Sequence, residues 1–214
     1  MNSSAVLTLT EPEKQGFRWI PAQPESIPER IVFSEWFGNS HPVEVELGCG
    51  KGKFLLARAA ANHPINFIGI DWSSKWLGAS AQRSAAQGMN HVKWIWGRVA
   101  VFLNRIPPKS ISVFHIYFPD PWPKRRHEDR RLIRAELLEE LHALLISGGK
   151  IEIATDFQDY FEAIKRSVGK TQAGWSRLQT RINERIFDPA IKTDYEIKYA
   201  LSGKPLYYLE LVKS

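Results

Sequence analysis

Val43-Glu44-Val45-Glu46-Leu47-Gly48-Cys49-Gly50-Lys51-Gly52 is an apolar-rich run that stops in three closely spaced glycines. Phe54 to Ala61 then supplies strong helix formers, and Asn66 to Ile70 is apolar again, closing at Asp71. The order is strand, loop, helix, strand. Downstream, Ser73–Gln87 reads as a helix capped by Ser73 or Ser74, and His91–Trp96 and Ile111–Phe118 read as strands. Leu132–Leu145 reads as a helix with Gly148 and Gly149 just beyond its end, followed by a strand at Lys150–Ala154. Strands alternating with helices predict an α/β fold, a mostly parallel, doubly wound sheet covered on both faces and joined by right-handed crossovers. Leu206–Val212, after the turn residues Gly203 and Pro205, predicts an antiparallel C-terminal edge strand.

Upstream of this pattern, Met1 to Asn39 carries Pro12, Pro21, Pro24 and Pro28 and few apolar runs beyond Ile31–Phe37. It reads as an irregular arm leading into a short helix, outside the main sheet. The 214 residues therefore divide into an arm at 1–39 and a single domain at 40–214. No fixed-period repeat or low-complexity tract is present.

Composition narrows the function classes. With 43% hydrophobic and 24% charged residues, the chain has the make-up of a globular protein with a sizeable core. No run reaches the ~18 apolar residues of a membrane span, and Met1 to Thr10 lacks the basic start and apolar core of a leader. The expectation is a cytoplasmic protein without membrane association. The single cysteine, Cys49, allows neither an internal disulfide nor a cysteine-ligated zinc, and no metal site is expected. A formal charge of +6 points to an acidic partner, of which nucleic acid is the commonest.

In such sheets ligands bind beyond the carboxyl ends of the strands, which directs attention to Gly48–Gly52. Its spacing matches neither GxGxxG nor GxxxxGK[ST]. Glycines alone are equally consistent with a tight strand-to-helix turn. Two carboxylates change the balance. Glu46 stands two residues before the loop, and Asp71 ends the second strand, where an acidic group can accept both hydroxyls of a ribose. Glu46 would repel a pyrophosphate but favour a cofactor with a positive sulfonium and an amino acid moiety, so S-adenosylmethionine fits better than NAD.

After the fourth strand comes Phe118-Pro119-Asp120-Pro121-Trp122-Pro123-Lys124, a loop stiffened by three prolines and carrying a carboxylate, an aromatic face and a lysine. From Lys124 to Arg134, six basic residues against Glu128 and Asp129 concentrate a net +4 beside it, at what reads as a helix start. Positive charge there opposes the helix dipole, which argues for a phosphate partner, with RNA the natural substrate.

On these residues the chain resembles the bacterial tRNA (guanine-N7)-methyltransferases, class I S-adenosylmethionine-dependent enzymes with a Rossmann-like fold. The likeness rests on Glu46–Gly52, on Phe118–His127 with Arg130-Arg131-Leu132, on Ala154-Thr155-Asp156, and on Thr193-Asp194-Tyr195-Glu196 with Lys198. It implies transfer of a methyl group to N7 of guanine 46 in the tRNA variable loop, by a monomer or homodimer. Glu46, Gly48, Gly50 and Asp71 would bind cofactor, and Asp120 would sit at the active centre, touching cofactor or target base. Lys124, Asp156, Thr193 and Glu196 would bind substrate, and Arg126, Arg130 and Arg131 would contact RNA. One position departs from the family pattern. Where an aspartate usually lies near the adenine, this chain has Gly97-Arg98, which leaves backbone groups of Arg98 and Val99 for that contact. The rival readings are a class I methyltransferase on another RNA base and a non-catalytic RNA-binding protein with this fold. An NAD oxidoreductase ranks last.

Overall fold

The computed structural model describes residues 19–21 and 27–214; the remainder of the N-terminal arm, with Pro12 and Pro24, lies outside the described residues. In chain order the elements are β1 (Trp19–Pro21), α1 (Phe33–Phe37), β2 (Val43–Leu47), α2 (Lys53–Ala61), β3 (Asn66–Asp71), α3 (Ser74–Ala86), β4 (Val92–Trp96) and α4 (Val99–Leu103). There follow β5 (Ile111–Tyr117), a 3-10 turn (Arg125–Arg130), α5 (Ala135–Leu144), β6 (Leu145–Thr155), α6 (Gln158–Lys170), β7 (Trp175–Ile182), α7 (Asp194–Leu201) and β8 (Tyr207–Lys213).

One sheet holds the eight described strands in the order β1-β4-β3-β2-β5-β6-β8-β7. Neighbours from β1 to β6 run parallel, whereas β6–β8 and β8–β7 are antiparallel. The chain steps outward from β2 through β3 to β4, then crosses to the other flank of β2 as β5. That reversal opens a crevice above the carboxyl ends of β2 and β5.

The period of two on each strand divides the core. Val43, Val45, Leu47, Ile68 and Ile70 face one way, packed with Phe102 of α4, Leu138 and Leu141 of α5, and Tyr160 and Ile164 of α6. On the other face Phe67 and Trp94 meet Leu55 and Ala59 of α2 and Leu77 and Ala81 of α3. Trp94 satisfies its buried indole by donating to Ser84 Oγ at 3.0 Å.

Several boundaries differ from the sequence expectation. Part of the arm enters the sheet: Trp19–Pro21 pairs in parallel with Trp94–Trp96 as the outermost strand. The open backbone edge of β4 accepts an extended segment whatever its periodicity, and three residues are too few to show a pattern. The antiparallel C-terminal strand β8 is present, but the edge position belongs to β7, whose side chains are largely exposed and so carry little hydrophobic alternation. Arg134 is in extended backbone immediately before α5, so the arginines upstream form a 3-10 turn and do not open the expected helix.

Candidate active site

β2 presents Glu44 and Glu46 on the face opposite Val43, Val45 and Leu47. Glu44 is 3% exposed and fully engaged. Arg58 on α2 donates Nη2 to its Oε1 at 2.8 Å, and His115 Nε2 lies 3.0 Å from its Oε2. The other imidazole nitrogen of His115 is 3.1 Å from Glu152 Oε2, which also accepts from the Tyr117 hydroxyl at 2.6 Å. Burial opposes ionisation of Glu44, but the Arg58 and His115 hydrogen bonds override it and hold the carboxyl at about 2. Burial likewise opposes the His115 cation, yet its bonds to Glu152 and Glu44 push it up to about 9. The centre of the sheet thus holds a closed network of paired charges.

Glu46, one pleat further along, has no such support. It is 5% exposed, and its Oε2 has no hydrogen-bond partner among the described residues. Burial, aided by the Asp71 charge and only partly offset by His115, pushes its carboxyl up to about 8. An orphaned buried carboxylate calls for a donor from elsewhere. Glu46 lines a cavity of about 380 Å³ together with Gly48, Gly50, Phe54 and Tyr117 at its inner wall and residues of α7 opposite.

The glycine loop is shaped by Asp71. Its Oδ2 accepts from Gly50 N and its Oδ1 from Ser73 N, both at 2.8 Å, so one side chain ties the β2 loop to the start of α3. Gly48 and Gly50 adopt φ of +79° and +51°, and a Cβ on either would meet no atom within 4 Å. That open space lets a ligand approach the backbone closely. Gly52 is demanded for another reason: with φ at +62°, a Cβ there would lie 2.4 Å from the Trp94 ring.

The opposite wall is α7, whose start is a capping box. Thr193 Oγ1 accepts from Glu196 N at 3.1 Å, and Glu196 Oε2 accepts from Thr193 N at 2.8 Å. Glu196 Oε1 also accepts from Tyr208 OH at 3.1 Å and pairs with Arg185, whose guanidinium lies 5.4 Å from the Tyr117 ring and 5.1 Å from that of Phe187. Lys53 Nζ, at the start of α2, meets Asp194 Oδ2 across the rim at 2.6 Å. Thr193 lines the cavity. Glu196, expected to contact substrate, is 1% exposed with both oxygens engaged, and it anchors α7 to the sheet.

The proline–tryptophan loop is held in uncommon backbone: Phe118 and Trp122, neither a glycine, have φ of 51° and 42°. Phe118 N donates to Ala154 O at 2.7 Å, and Arg131 Nε donates to Pro121 O at 2.9 Å. Arg131 is 5% exposed, with its guanidinium 5.1 Å from the Tyr160 ring. Arg131, expected to contact RNA, braces the loop with its buried guanidinium. Arg126 and Arg130 are exposed, and the Arg130 guanidinium lies 5.1 Å from the Trp122 ring.

Of the residues singled out from sequence, Glu46, Gly48, Gly50 and Thr193 converge on the cavity, while Asp71 shapes it from behind. Asp120, Lys124 and Arg98 are exposed and outside its lining; Asp156, half-buried, is also outside it and pairs with Lys204 at 3.4 Å. Sequence reasoning missed Phe54, Tyr117, Trp76 and Arg185. Tyr117 is foreshadowed by its place at the carboxyl end of a strand; Arg185 has no local signal.

Opposite charges at two depths decide what fits. The deep Glu46 carboxyl suits an ammonium, and Lys51 and Lys198 at the rim, beside the Lys53–Asp194 pair, suit a carboxylate, so the cavity matches the amino acid end of S-adenosylmethionine.

Residues 40–209 match a family model described as a putative methyltransferase. A tRNA (guanine-N(7)-)-methyltransferase of Streptococcus gordonii is 31% identical over 180 residues, covering 84% of this chain and 85% of that protein. One from Streptococcus sanguinis is 32% identical over 83% and 84%, and one from Rubrobacter xylanophilus 28% over 84% and 80%. Among solved structures, a 16S rRNA methyltransferase superposes with a TM-score of 0.60 at 14% identity, covering 85% of this chain and 93% of that one. An antibiotic-related methyltransferase superposes at 0.57 and 16%, covering 86% and 96%. These two likenesses establish the fold.

Proposed function

We propose, from the premise that this chain belongs to the tRNA (guanine-N7)-methyltransferase family, that it is an enzyme transferring a methyl group from S-adenosylmethionine to N7 of a guanine in tRNA, at position 46 of the variable loop. The observation that carries this reading is the buried Glu46 Oε2, without a hydrogen-bond partner among the described residues, in a cavity whose rim carries Lys51, Lys198 and the Lys53–Asp194 pair. The catalytic unit is 40–214, preceded by the arm at 1–39, and the enzyme acts in the cytoplasm as a monomer or homodimer. No helix among the described residues is long and apolar enough to cross a membrane.

When bound, S-adenosylmethionine supplies an electrophilic methyl on a sulfonium. Guanine N7 has an in-plane lone pair and no proton, so the chain needs no base to prepare it. Its task is alignment, for which orientation alone can supply ~7–11 kcal/mol. Glu46 would hold the cofactor's ammonium, and the open Gly48–Gly50 backbone would admit the cofactor closely. Asp71 holds the loop and accepts from the ribose hydroxyls, and Arg98 and Val99 offer backbone groups near the adenine. Asp120 orients the guanine through its N1 or amino hydrogens and complements developing positive charge. What supports this role is its place between Pro119 and Pro121 on a loop fixed by Arg131. Thr193, Lys124 and Asp156 surround the same edge as substrate contacts, with Arg126 and Arg130 on phosphates.

Incubation with methyl-labelled S-adenosylmethionine and unmodified tRNA, followed by mapping of the label, tests the proposal. Label at N7 of guanine 46 is expected. Label on another base, or none, sinks it.

A further inference from the structure

Behind the cavity, the sheet holds a buried titratable group that methyl transfer as derived above does not use. β2 and β5 run parallel with Glu46 opposite His115, and β5 and β6 run parallel with His115 opposite Glu152. Neighbouring strands lie about 4.8 Å apart, so paired residues project side by side from one face. His115 is 0% exposed and does not line the cavity. Both its ring nitrogens face carboxylates, Nε2 at 3.0 Å from Glu44 Oε2 and Nδ1 at 3.1 Å from Glu152 Oε2. Tyr117 OH, 3.0 Å from Nδ1, donates its proton to Glu152. Carboxylate acceptors at both nitrogens require two N–H donors, which holds the ring as a cation. Neither nitrogen turns to Glu46, the strand neighbour, whose Oε2 keeps no hydrogen-bond partner among the described residues.

We propose that His115 is a positioning residue for the cofactor: its cation, tied sideways to Glu44 and Glu152, sustains negative charge on Glu46 without capping it, so that Glu46 stays open to an ammonium. This rests on the S-adenosylmethionine reading above. The other groups facing Glu46 cannot take this role. Asp71 on β3 is acidic, and burial holds the Cys49 thiol on the glycine loop neutral. Lys51 and Lys53 stand at the rim, Lys53 on Asp194. Arg58 on α2 is spent on Glu44, and Arg185 on Glu196. Burial pushes the Glu46 carboxyl up, the His115 cation draws it down, and the Asp71 charge pushes it up again. A cation bonded directly to Glu46 would have to be displaced before an ammonium could bind. A fixed charge one strand away aids ionisation and leaves the oxygen free, which is electrostatic preorganisation applied to binding.

The test is a double-mutant cycle on the full chain, read by calorimetry with S-adenosylhomocysteine, which carries the same amino acid end, between about pH 6 and about pH 8. His115→Gln alone should weaken binding by about tenfold and move the rise of affinity with pH upward by about one unit, as expected for loss of a charge about 5 Å away. In a Glu46→Gln background the cation has no carboxylate to act on, and the same substitution should change affinity by less than about twofold. Equal losses in both backgrounds overturn the proposal and leave His115 a structural support of the cavity; parental affinity in His115→Gln overturns it too. The parental protein gives an answer that needs no folded variant. The nitrogen-15 NMR signals of its one fully buried imidazole should be those of a cation at about pH 7, with and without ligand. A neutral ring, or one that loses its proton on loading, overturns the proposal. Absence of S-adenosylhomocysteine binding by the parental protein overturns the cofactor reading itself, a result distinct from all of these.

Discussion

Glu44 and Glu46 stand two residues apart on one strand, face the same way and are buried to nearly the same degree, yet their surroundings are opposite. Glu44 is enclosed by Arg58 and His115 and held at about 2; Glu46 is pushed up to about 8, with its Oε2 lacking a hydrogen-bond partner among the described residues. The first carboxylate belongs to the fold's own network, and the second is the one we propose for the cofactor. A buried charge is stabilised when its partners are built in, and one left without them marks where an outside group is meant to complete the arrangement.

The largest effect that separates the two is on stability. Glu44→Ala strands the Arg58 and His115 cations inside the sheet and should cost about 3–5 kcal/mol in urea denaturation. Glu46→Gln should cost nothing in the ligand-free protein and should gain stability as pH rises. The Glu46 pKa lies higher in the folded than in the unfolded chain, so the folded state binds the extra proton between about 4.5 and about 8, and ionisation penalises folding progressively across that window. The gain from Gln is therefore larger at pH 8 than at pH 5. Glu44 has the reverse sign: its contribution is present above about 4.5 and is lost as pH falls towards about 2. Equal pH profiles for the two variants would abolish the contrast.

The next effect is on catalysis. Asp120→Ala should fold and bind both ligands but lose about 2.7–4 kcal/mol of transition-state stabilisation in single-turnover methylation, by analogy with removal of one preorganised contact. Because N7 yields no proton, its residual rate should show no pH dependence of a missing base. A parental rate would reduce Asp120 to a turn residue. Smaller still are the surface arginines. Arg126→Ala and Arg130→Ala should each flatten the salt dependence of tRNA binding by about 0.7–0.9, whereas Arg131→Ala should lower the melting temperature, since its guanidinium is buried under the proline–tryptophan loop. An unchanged slope would make the exposed pair a solvated face.

How far sequence reaches follows from the range of the interactions involved. The β2–α2–β3 unit, the glycine loop, Glu46 and Asp71 are legible because alternation, helix formers and turn glycines act within a few residues. β7 carries too little apolar alternation on its exposed residues to declare itself, whereas α6 carries a legible helical stripe in Tyr160, Phe161, Ile164 and Val168. α7 announces itself locally through Thr193-x-x-Glu196, a capping-box pattern at its start. The burial of Arg131 and the Arg185–Glu196 pair depend on contacts between distant segments. No window on the sequence shows that an arginine in a basic run turns inward.

The most direct measurement is titration calorimetry of S-adenosylmethionine into the parental protein and into Glu46→Gln, with melting temperatures taken alongside. If Glu46 is the carboxylate that receives the cofactor's ammonium, loss of that charge-assisted bond should weaken binding by about 10- to 100-fold while the fold is kept or stabilised. Parental affinity should also rise between about pH 6 and about pH 7, by up to about tenfold, as binding draws the proton off Glu46, and the Gln variant should lose that dependence. Parental affinity in Glu46→Gln, with an unaltered pH profile, would contradict the assignment of the cavity to the cofactor.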